Sequence, residues 1–479
     1  MSEKKLKILF VAAEVDPFIK TGGMGDVAGS LPQQVKKMGH DIRVVLPEYK
    51  QIPKKYKIKL KHVTDFNTKV AWREEYVGVN QLVNNEVPTY FIDNKYFFNR
   101  PWLYKNNDKY LQFTYFCKAV LDMLPRLDFK PDIIHFNDWQ TAPISLLLED
   151  NYRKNDFYKE IKTLFTIHNL RYQGKFGAEI VDDVLGVNNW HWDTGNIRHD
   201  GLVNFMKIGM NYADKISTVS ETYAEEIKYP YFGEGLDYVL RDRSHDLVGV
   251  LNGISYEKFN PEKDEQIYKN YSRDDLSGKY KNKDNLQKEL GLPLKEDIPL
   301  VGIITRLVEQ KGLDLITAIF EDLIQEDLQF VLLGTGEERY EEFFDLMANK
   351  YPEKVASVIK YDAGLAQKIY AGLDIFLMPS RFEPCGLSQM ISMRYGTIPV
   401  VRETGGLKDT VNPYNEFEDQ GTGFSFADFN AHDMLYTIRR ACKFYHKPQI
   451  WQGIIKRAMQ QDFSWKHSGE RYIKLYRDL

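Results

Sequence analysis

Lys7-Ile8-Leu9-Phe10-Val11-Ala12-Ala13-Glu14-Val15 is an apolar run closed by an acid, and Lys20-Thr21-Gly22-Gly23-Met24-Gly25-Asp26 follows it as a glycine-rich loop. Working outward, residues 7–15 predict a buried strand, residues 26–38 carry helical patterning interrupted at Pro32, and residues 41–46 return as a second strand. Strand, glycine turn, helix, strand is a βαβ unit, whose right-handed crossover lays two strands side by side in parallel. Further strands fit residues 89–92, 132–136, 163–167 and 215–219. The same grammar restarts with a strand at 299–305, a helix at 313–325, a strand at 329–333, the turn Gly334-Thr335-Gly336 and a helix at 338–349. Strands at 355–360, 375–378 and 398–401 complete it. The fold class is therefore α/β, with two doubly wound sheets in tandem and ligands expected beyond the carboxyl ends of the strands.

A chain of 479 residues exceeds what one hydrophobic core organises. The reading divides it into an N-terminal domain over 1–252, a C-terminal domain over 253–458 and a terminal helix over 459–479, with a hinge near Asn252-Gly253-Ile254. Residues 262–288, rich in Asp, Glu, Lys, Asn and Tyr, read as a solvated connector ending in a short helix. With 43% hydrophobic and 28% charged residues, disordered and fibrous classes are excluded. A net charge of −4, with bases and acids interleaved, argues against a nucleic-acid partner. No apolar stretch approaches the ~18 residues of a membrane span, and Glu14 and Asp16 break the N-terminal run too early for a signal peptide. Cys117, Cys385 and Cys442 are odd in number and far apart, which gives neither a disulfide framework nor a zinc spacing. The expectation is a cytoplasmic enzyme with no metal and no resident cofactor.

Four constellations carry chemistry. The Lys20–Asp26 loop combines glycines, which allow close backbone approach, with a flexible cation suited to phosphate. Arg306 and Lys311 stand in the equivalent loop of the second half, where permanent charge can meet a departing diphosphate; the plainer alternative is two surface charges. Pro379-Ser380-Arg381-Phe382-Glu383-Pro384-Cys385-Gly386-Leu387 sets an isolated acid one strand before Thr404-Gly405-Gly406-Leu407, a glycine turn expected to leave N–H groups uncovered at a helix N-terminus. Together these two point to nucleotide-sugar chemistry. Glu383 either hydrogen-bonds sugar hydroxyls or buttresses its loop, and Cys385 reads as a small buried filler. At two further strand ends, His135-Phe136-Asn137-Asp138-Trp139-Gln140 and Ile167-His168-Asn169 make a polar pocket with an aromatic wall. His168 is either part of that pocket or a core histidine, and Trp139 either faces a sugar ring or caps the sheet.

Taken together, these segments resemble bacterial glycogen synthases and plant starch synthases, retaining glycosyltransferases of the GT-B fold, in which two Rossmann-like domains face a central cleft. The resemblance spans essentially the whole chain and includes Tyr172-Gln173-Gly174, Asp200-Gly201 and Val250-Leu251-Asn252-Gly253-Ile254. It implies transfer of glucose from ADP-glucose to the non-reducing end of an α-1,4-glucan. It further implies that Lys20, Arg306 and Lys311 serve the diphosphate, that His168 and Glu383 line the transferred glucose, and that Asp138 and Trp139 lie near donor sugar and acceptor. Gly405 and Gly406 would lie against the phosphates, and Gly334 and Tyr361 around the nucleoside. Gly22, Gly23, Asp26, Asn169, Asn252, Cys385, Gly386, Leu387 and Thr404, inside the shared motifs, are expected to touch substrate. There are departures: Ile391 stands where many retaining GT-B enzymes carry a second glutamate, and Arg171 where alanine is usual. The alternatives are a related transferase using UDP-glucose or a small acceptor, and a non-catalytic glucan-binding scaffold, which would have no use for a diphosphate site. A glucan phosphorylase would need a lysine-bound pyridoxal phosphate, for which no motif is present.

Overall fold

The opening apolar run forms strand β1 (Lys7–Val11), and the chain then leaves the sheet earlier than its hydrophobicity suggests. The cause is a local turn: Val15 and Ile19 pair in an isolated antiparallel bridge, which folds residues 15–19 back before the glycine loop. The computed structural model describes residues 4–479, in two units: one holds the chain up to Gly253 together with Trp465–Leu479, the other Ile254–Ser464.

In the first unit the remaining strands are β2 (Asp41–Pro47), β3 (Lys61–Val70), β4 (Arg73–Asn84), β5 (Val87–Asp93), β6 (Ile133–Asn137), β7 (Lys162–Ile167), β8 (Lys175–Phe176), β9 (Arg198–His199), β10 (Leu202–Asn204), β11 (Lys215–Thr218) and β12 (Leu247–Gly249). Nine of them make one sheet in the order β12-β11-β7-β6-β1-β2-β5-β4-β3, while β8, β10 and β9 form a small antiparallel sheet of their own. The large sheet is parallel from β12 to β5, and β4 and β3 close its edge as an antiparallel hairpin. That hairpin is absent from the sequence reading because β3 buries only Thr68 and Val70, so it lacks the apolar run of a central strand.

The second unit has six parallel strands, β13 (Leu300–Ile304), β14 (Gln329–Gly334), β15 (Val355–Ile359), β16 (Ile375–Met378), β17 (Ile398–Arg402) and β18 (Phe424–Phe426), in the order β15-β14-β13-β16-β17-β18. Here the helix expected over 313–325 is two, Leu313–Ala318 and Phe320–Gln325, broken at Ile319.

In each sheet the chain reverses its direction of growth at one place. β1 pairs with both β2 and β6, and β13 with both β14 and β16. That place, between the loops after β1 and β6 in one sheet and after β13 and β16 in the other, is where a doubly wound sheet binds its ligand.

Residues 262–288 are not a solvated connector. The helix Ser277–Glu289 packs on Ala363–Gly372, and Lys279, 3% exposed, donates from Nζ to the carbonyls of Ala371 (3.2 Å), Leu373 (3.0 Å) and Tyr395 (3.1 Å) and to Thr397 Oγ1 (2.9 Å). One turn on, Lys283 pairs with Asp374 at 2.7 Å, both side chains buried. The segment carries its charge inward.

Candidate functional site

In the second unit the loops after β13 and β16 meet at this place of reversal, and their backbones are in direct contact. Gly312, at φ 71°, faces the Pro379 carbonyl so closely that any Cβ there would overlap it. Gln310, buried between them, accepts from the Arg381 N–H (2.9 Å) and donates to the Phe382 carbonyl (3.3 Å). This contact brings Lys311 to Glu383. Lys311 Nζ lies 2.6 Å from Glu383 Oε2, which also accepts from Ser380 Oγ at 3.0 Å. Both side chains are largely withdrawn from water, where a pair held by hydrogen bonds is strong and one broken by removing a partner is costly. Arg306 is exposed, and its guanidinium has no protein partner among the described residues. Its backbone is fixed by the bonds of Thr305 N to Leu333 O and Leu307 N to Thr335 O, which place it beside Gly334. Gly334 pairs with Ile359 across the β14–β15 ladder, and Tyr361, 80% exposed, stands two residues beyond.

The glycine turn at 404–407 differs from expectation. Its N–H groups are not left uncovered: Gly406 N donates to the Glu383 carbonyl (3.1 Å) and Leu407 N to the Thr404 carbonyl (3.0 Å). A Cβ at Gly405 would collide with the Glu383 carbonyl and one at Gly406 with that of Cys385. These glycines let the acid-bearing loop lie flat on the turn, and Thr404 is buried beneath it. Cys385 is buried, Gly386 adopts φ 69° and Leu387 caps the helix Ser388–Arg394. Ile391 is buried in that helix and brings no carboxylate.

In the first unit the open glycine turn follows β1. Gly22 and Gly23 begin the helix Gly23–Lys37, both are exposed, and nothing lies within 4 Å of a Cβ built on either. The protein's own packing therefore explains Gly405 and Gly406 but leaves the space beside Gly22 and Gly23 empty. Lys20 Nζ meets Asp26 Oδ1 at 2.6 Å.

Beyond β6, Asp138 holds a φ of 56°, a left-handed conformation unusual for a residue with a side chain. Its Oδ1 accepts from the His168 N–H at 2.7 Å, and the Asn169 N–H also points at it. Burial outweighs these bonds and pushes the Asp138 carboxyl up to about 7. His168 is buried at the end of β7, and its Nε2 lies 2.9 Å from Asn137 Oδ1. Because Asn137 Nδ2 donates to the Val11 carbonyl (3.0 Å), Oδ1 is the acceptor and His168 carries its proton on Nε2. Desolvation lowers the imidazole to about 3, so it is neutral, with Nδ1 as a bare acceptor. Asn169 uses Oδ1 to accept from the Arg171 N–H (3.1 Å). Asn252 is buried, and its Oδ1 has no partner among the described residues.

Two neighbouring side chains are enclosed by protein. Trp139 is 7% exposed and packs against Phe113, Phe176 and Phe205, with Gly174 pressed on its ring, so the indole belongs to the core. His135 is likewise internal, bonded to Tyr476 Oη (2.8 Å) and Thr166 Oγ1 (2.6 Å). Sequence reasoning missed Asn137 and Ser380, which orient the imidazole and the acid; the signal was their place, one residue before Asp138 and three before Glu383. Among the described residues no group of three or more His, Cys, Asp or Glu side chains is set to hold a metal ion, and no helix is long and apolar enough to cross a membrane.

Two doubly wound sheets, one with cations and an acid at its switch point and the other with an open glycine turn and a neutral imidazole, define a nucleotide-sugar glycosyltransferase of the GT-B type. The family described as "Starch synthase catalytic domain" matches residues 7–242, and "Glycosyl transferases group 1" matches residues 282–452. The chain is 49% identical to the Glycogen synthase of Desulforamulus reducens over 99% of each chain, and 49% identical to that of Geobacillus stearothermophilus over 99% of this chain and 98% of the relative. The catalytic domain of Starch Synthase IV from Arabidopsis thaliana, bound to ADP and acarbose, superposes with a TM-score of 0.92 at 33% identity, over 99% of each chain. A sucrose-phosphate synthase from Thermosynechococcus elongatus, at TM-score 0.62 and 16% identity over 98% of each chain, shares the fold. The chain belongs to the glycogen synthase family, and its reaction is glucosyl transfer in the elongation of a glucan.

Proposed function

We propose that the donor is ADP-glucose and that glucose passes to the 4-hydroxyl at the non-reducing end of an α-1,4-glucan with its anomeric configuration retained. The observation that carries this reading is the Lys311–Glu383 pair at the switch point of the second sheet. The ADP and acarbose held by the similar Arabidopsis domain support it. Breaking the bond from C1 to the diphosphate oxygen leaves negative charge on the diphosphate. Arg306 and Lys311 meet that charge, and cations fixed beforehand need little reorganisation. Lys311 spends one of its three donors on Glu383 and turns the others to phosphate. Glu383 Oε2 is engaged by Lys311 and Ser380, which leaves Oε1 to accept from a sugar hydroxyl. An acid held in such a pair serves as a hydrogen-bond acceptor rather than a covalent nucleophile. His168 Nδ1 accepts from another sugar hydroxyl. A diphosphate oxygen takes the proton of the acceptor hydroxyl as the new C1–O bond forms on the face the diphosphate leaves, and the configuration is kept.

The free cysteines Cys117, Cys385 and Cys442 suit a reducing cytoplasm. Parallel assays with labelled ADP-glucose and UDP-glucose, each with and without glycogen, test the donor. Glucan-dependent incorporation from ADP-glucose is expected, and equal or better use of UDP-glucose would reject this choice.

A further inference from the structure

Glu14 takes no part in the chemistry above, yet at 3% exposure no carboxylate among the described residues is more buried. Three donors converge on it. Thr21 gives two, its backbone N–H and its Oγ1 (2.8 Å), and Tyr104 gives its hydroxyl (2.5 Å). Thr21 stands between Lys20 and Gly22, in the exposed tip whose glycines face empty space. The rest of the loop is fastened elsewhere, by the Val15–Ile19 bridge and by the bond from Asp16 N to the Gly25 carbonyl (2.9 Å). The Lys20–Asp26 pair and the bond from Gly25 N to the Gly22 carbonyl (3.2 Å) stay within the loop and the start of the helix, whereas the Glu14–Thr21 bonds tie the tip to the buried segment after β1.

We propose that Glu14 is a positioning residue: by drawing both Thr21 donors inward it sets the Lys20 to Gly23 tip in the shape that receives the donor's diphosphate, with Tyr104 locking the carboxylate from its other side. The proposal rests on the diphosphate reading above. It also explains why an acid is tolerated near an anionic ligand. Two carboxylate oxygens are needed to accept three hydrogen bonds, and a glutamine would offer one oxygen and turn an NH2 group toward a donor.

The test uses the full chain with E14Q, T21V and T21S. Amide hydrogen exchange over residues 20–23 is expected to accelerate about tenfold in E14Q, with β1 and the body of the helix Gly23–Lys37 unchanged. The KM for ADP-glucose and the dissociation constant for ADP should rise by about the same factor, with the KM for glycogen unmoved. T21V, which keeps the backbone bond and loses the hydroxyl, should shift both in the same direction by less, and T21S, which restores the hydroxyl, should shift them less than T21V does. Wild-type loop exchange and donor KM in E14Q and T21V would overturn the proposal. So would equal losses of donor and glucan affinity, which mark general loosening. Should E14Q fail to fold, T21V, altered at an exposed side chain, decides alone. A wild-type protein that does not bind ADP would instead sink the donor reading, and loop exchange would still decide the part played by Glu14.

Discussion

Lys311 cannot be altered without altering Glu383, because each is the other's buried partner. Lys311→Ala removes a cation and leaves an uncompensated acid, whereas Arg306→Ala removes an exposed charge with no protein partner among the described residues. Each should lower turnover by about 2–4 kcal/mol of barrier. Only Lys311→Ala should also lower the melting temperature, and steady-state kinetics beside calorimetry will separate the two. Asp138 supplies a test with a defined sign. Its folded-state carboxyl is raised to about 7, so the stability it contributes is fully present below the ordinary carboxylate range and is lost as pH rises through 7. Asp138→Asn should remove that slope, which denaturant titrations of both proteins at pH 5 and pH 8 would reveal. The strand ends themselves were legible in the sequence, because each apolar run marks where a strand stops and its loop begins. Trp139 shows the limit of that logic: the same position gave a core indole, because the aromatic rings that enclose it come from distant segments.

Among elements, the glycine turns teach most. Gly405-Gly406 and Gly22-Gly23 look alike as sequence, yet the first pair is filled by the carbonyls of Glu383 and Cys385 and the second stands open. Spacing cannot tell a glycine that admits the protein's own backbone from one that admits a ligand, because the neighbour responsible lies far along the chain. A helix is expected near the end of residues 262–288, but the burial of Ser277–Glu289 is not, for a related reason. Its buried face, with Lys279, Asn282, Lys283 and Leu286, has helical spacing but is mostly polar, so hydropathy does not register it. Burial lowers the Lys279 ammonium to about 7 even with four oxygens around it. Lys279→Met would remove four hydrogen bonds, while the Leu373 and Tyr395 carbonyls keep donors in Thr397 Oγ1 (2.8 Å) and Tyr271 Oη (2.7 Å), and should destabilise the second unit by about 1–3 kcal/mol in urea unfolding. The longer parallel strands were recovered because they are continuous apolar runs; the three-residue β12 and β18 were too short to register, and the β3–β4 hairpin was missed because one of its faces meets water.

For the whole molecule, acid should act first on the unit that carries β1 to β12. His135 and His168 are both buried there and held neutral, the first well below its ordinary range and the second at about 3. Depressed imidazoles contribute stability that is present above about 6.5 and lost as pH falls toward the folded value, at about 1.4 kcal/mol per group for each pH unit. Asp138 moves the opposite way and offsets part of the loss. Hydrogen exchange at pH 4.5 should therefore open the first unit before the second, and the reverse order would refute this account.

That unit also takes its final helix, Trp465–Arg477, from the far end of the chain. Tyr476 caps the imidazole of His135, Ser468 Oγ donates to the Leu251 carbonyl (2.6 Å), and Trp465, Tyr472 and Ile473 are buried. During synthesis Ile254–Ser464 is complete before those residues leave the ribosome. The amino-terminal half must wait, with the apolar surface that Trp465, Tyr472 and Ile473 cover left open, until the helix Trp465–Arg477 has emerged. A transcript truncated before Trp465 would release a polypeptide that holds all of Ile254–Ser464 and whose first unit lacks its final helix.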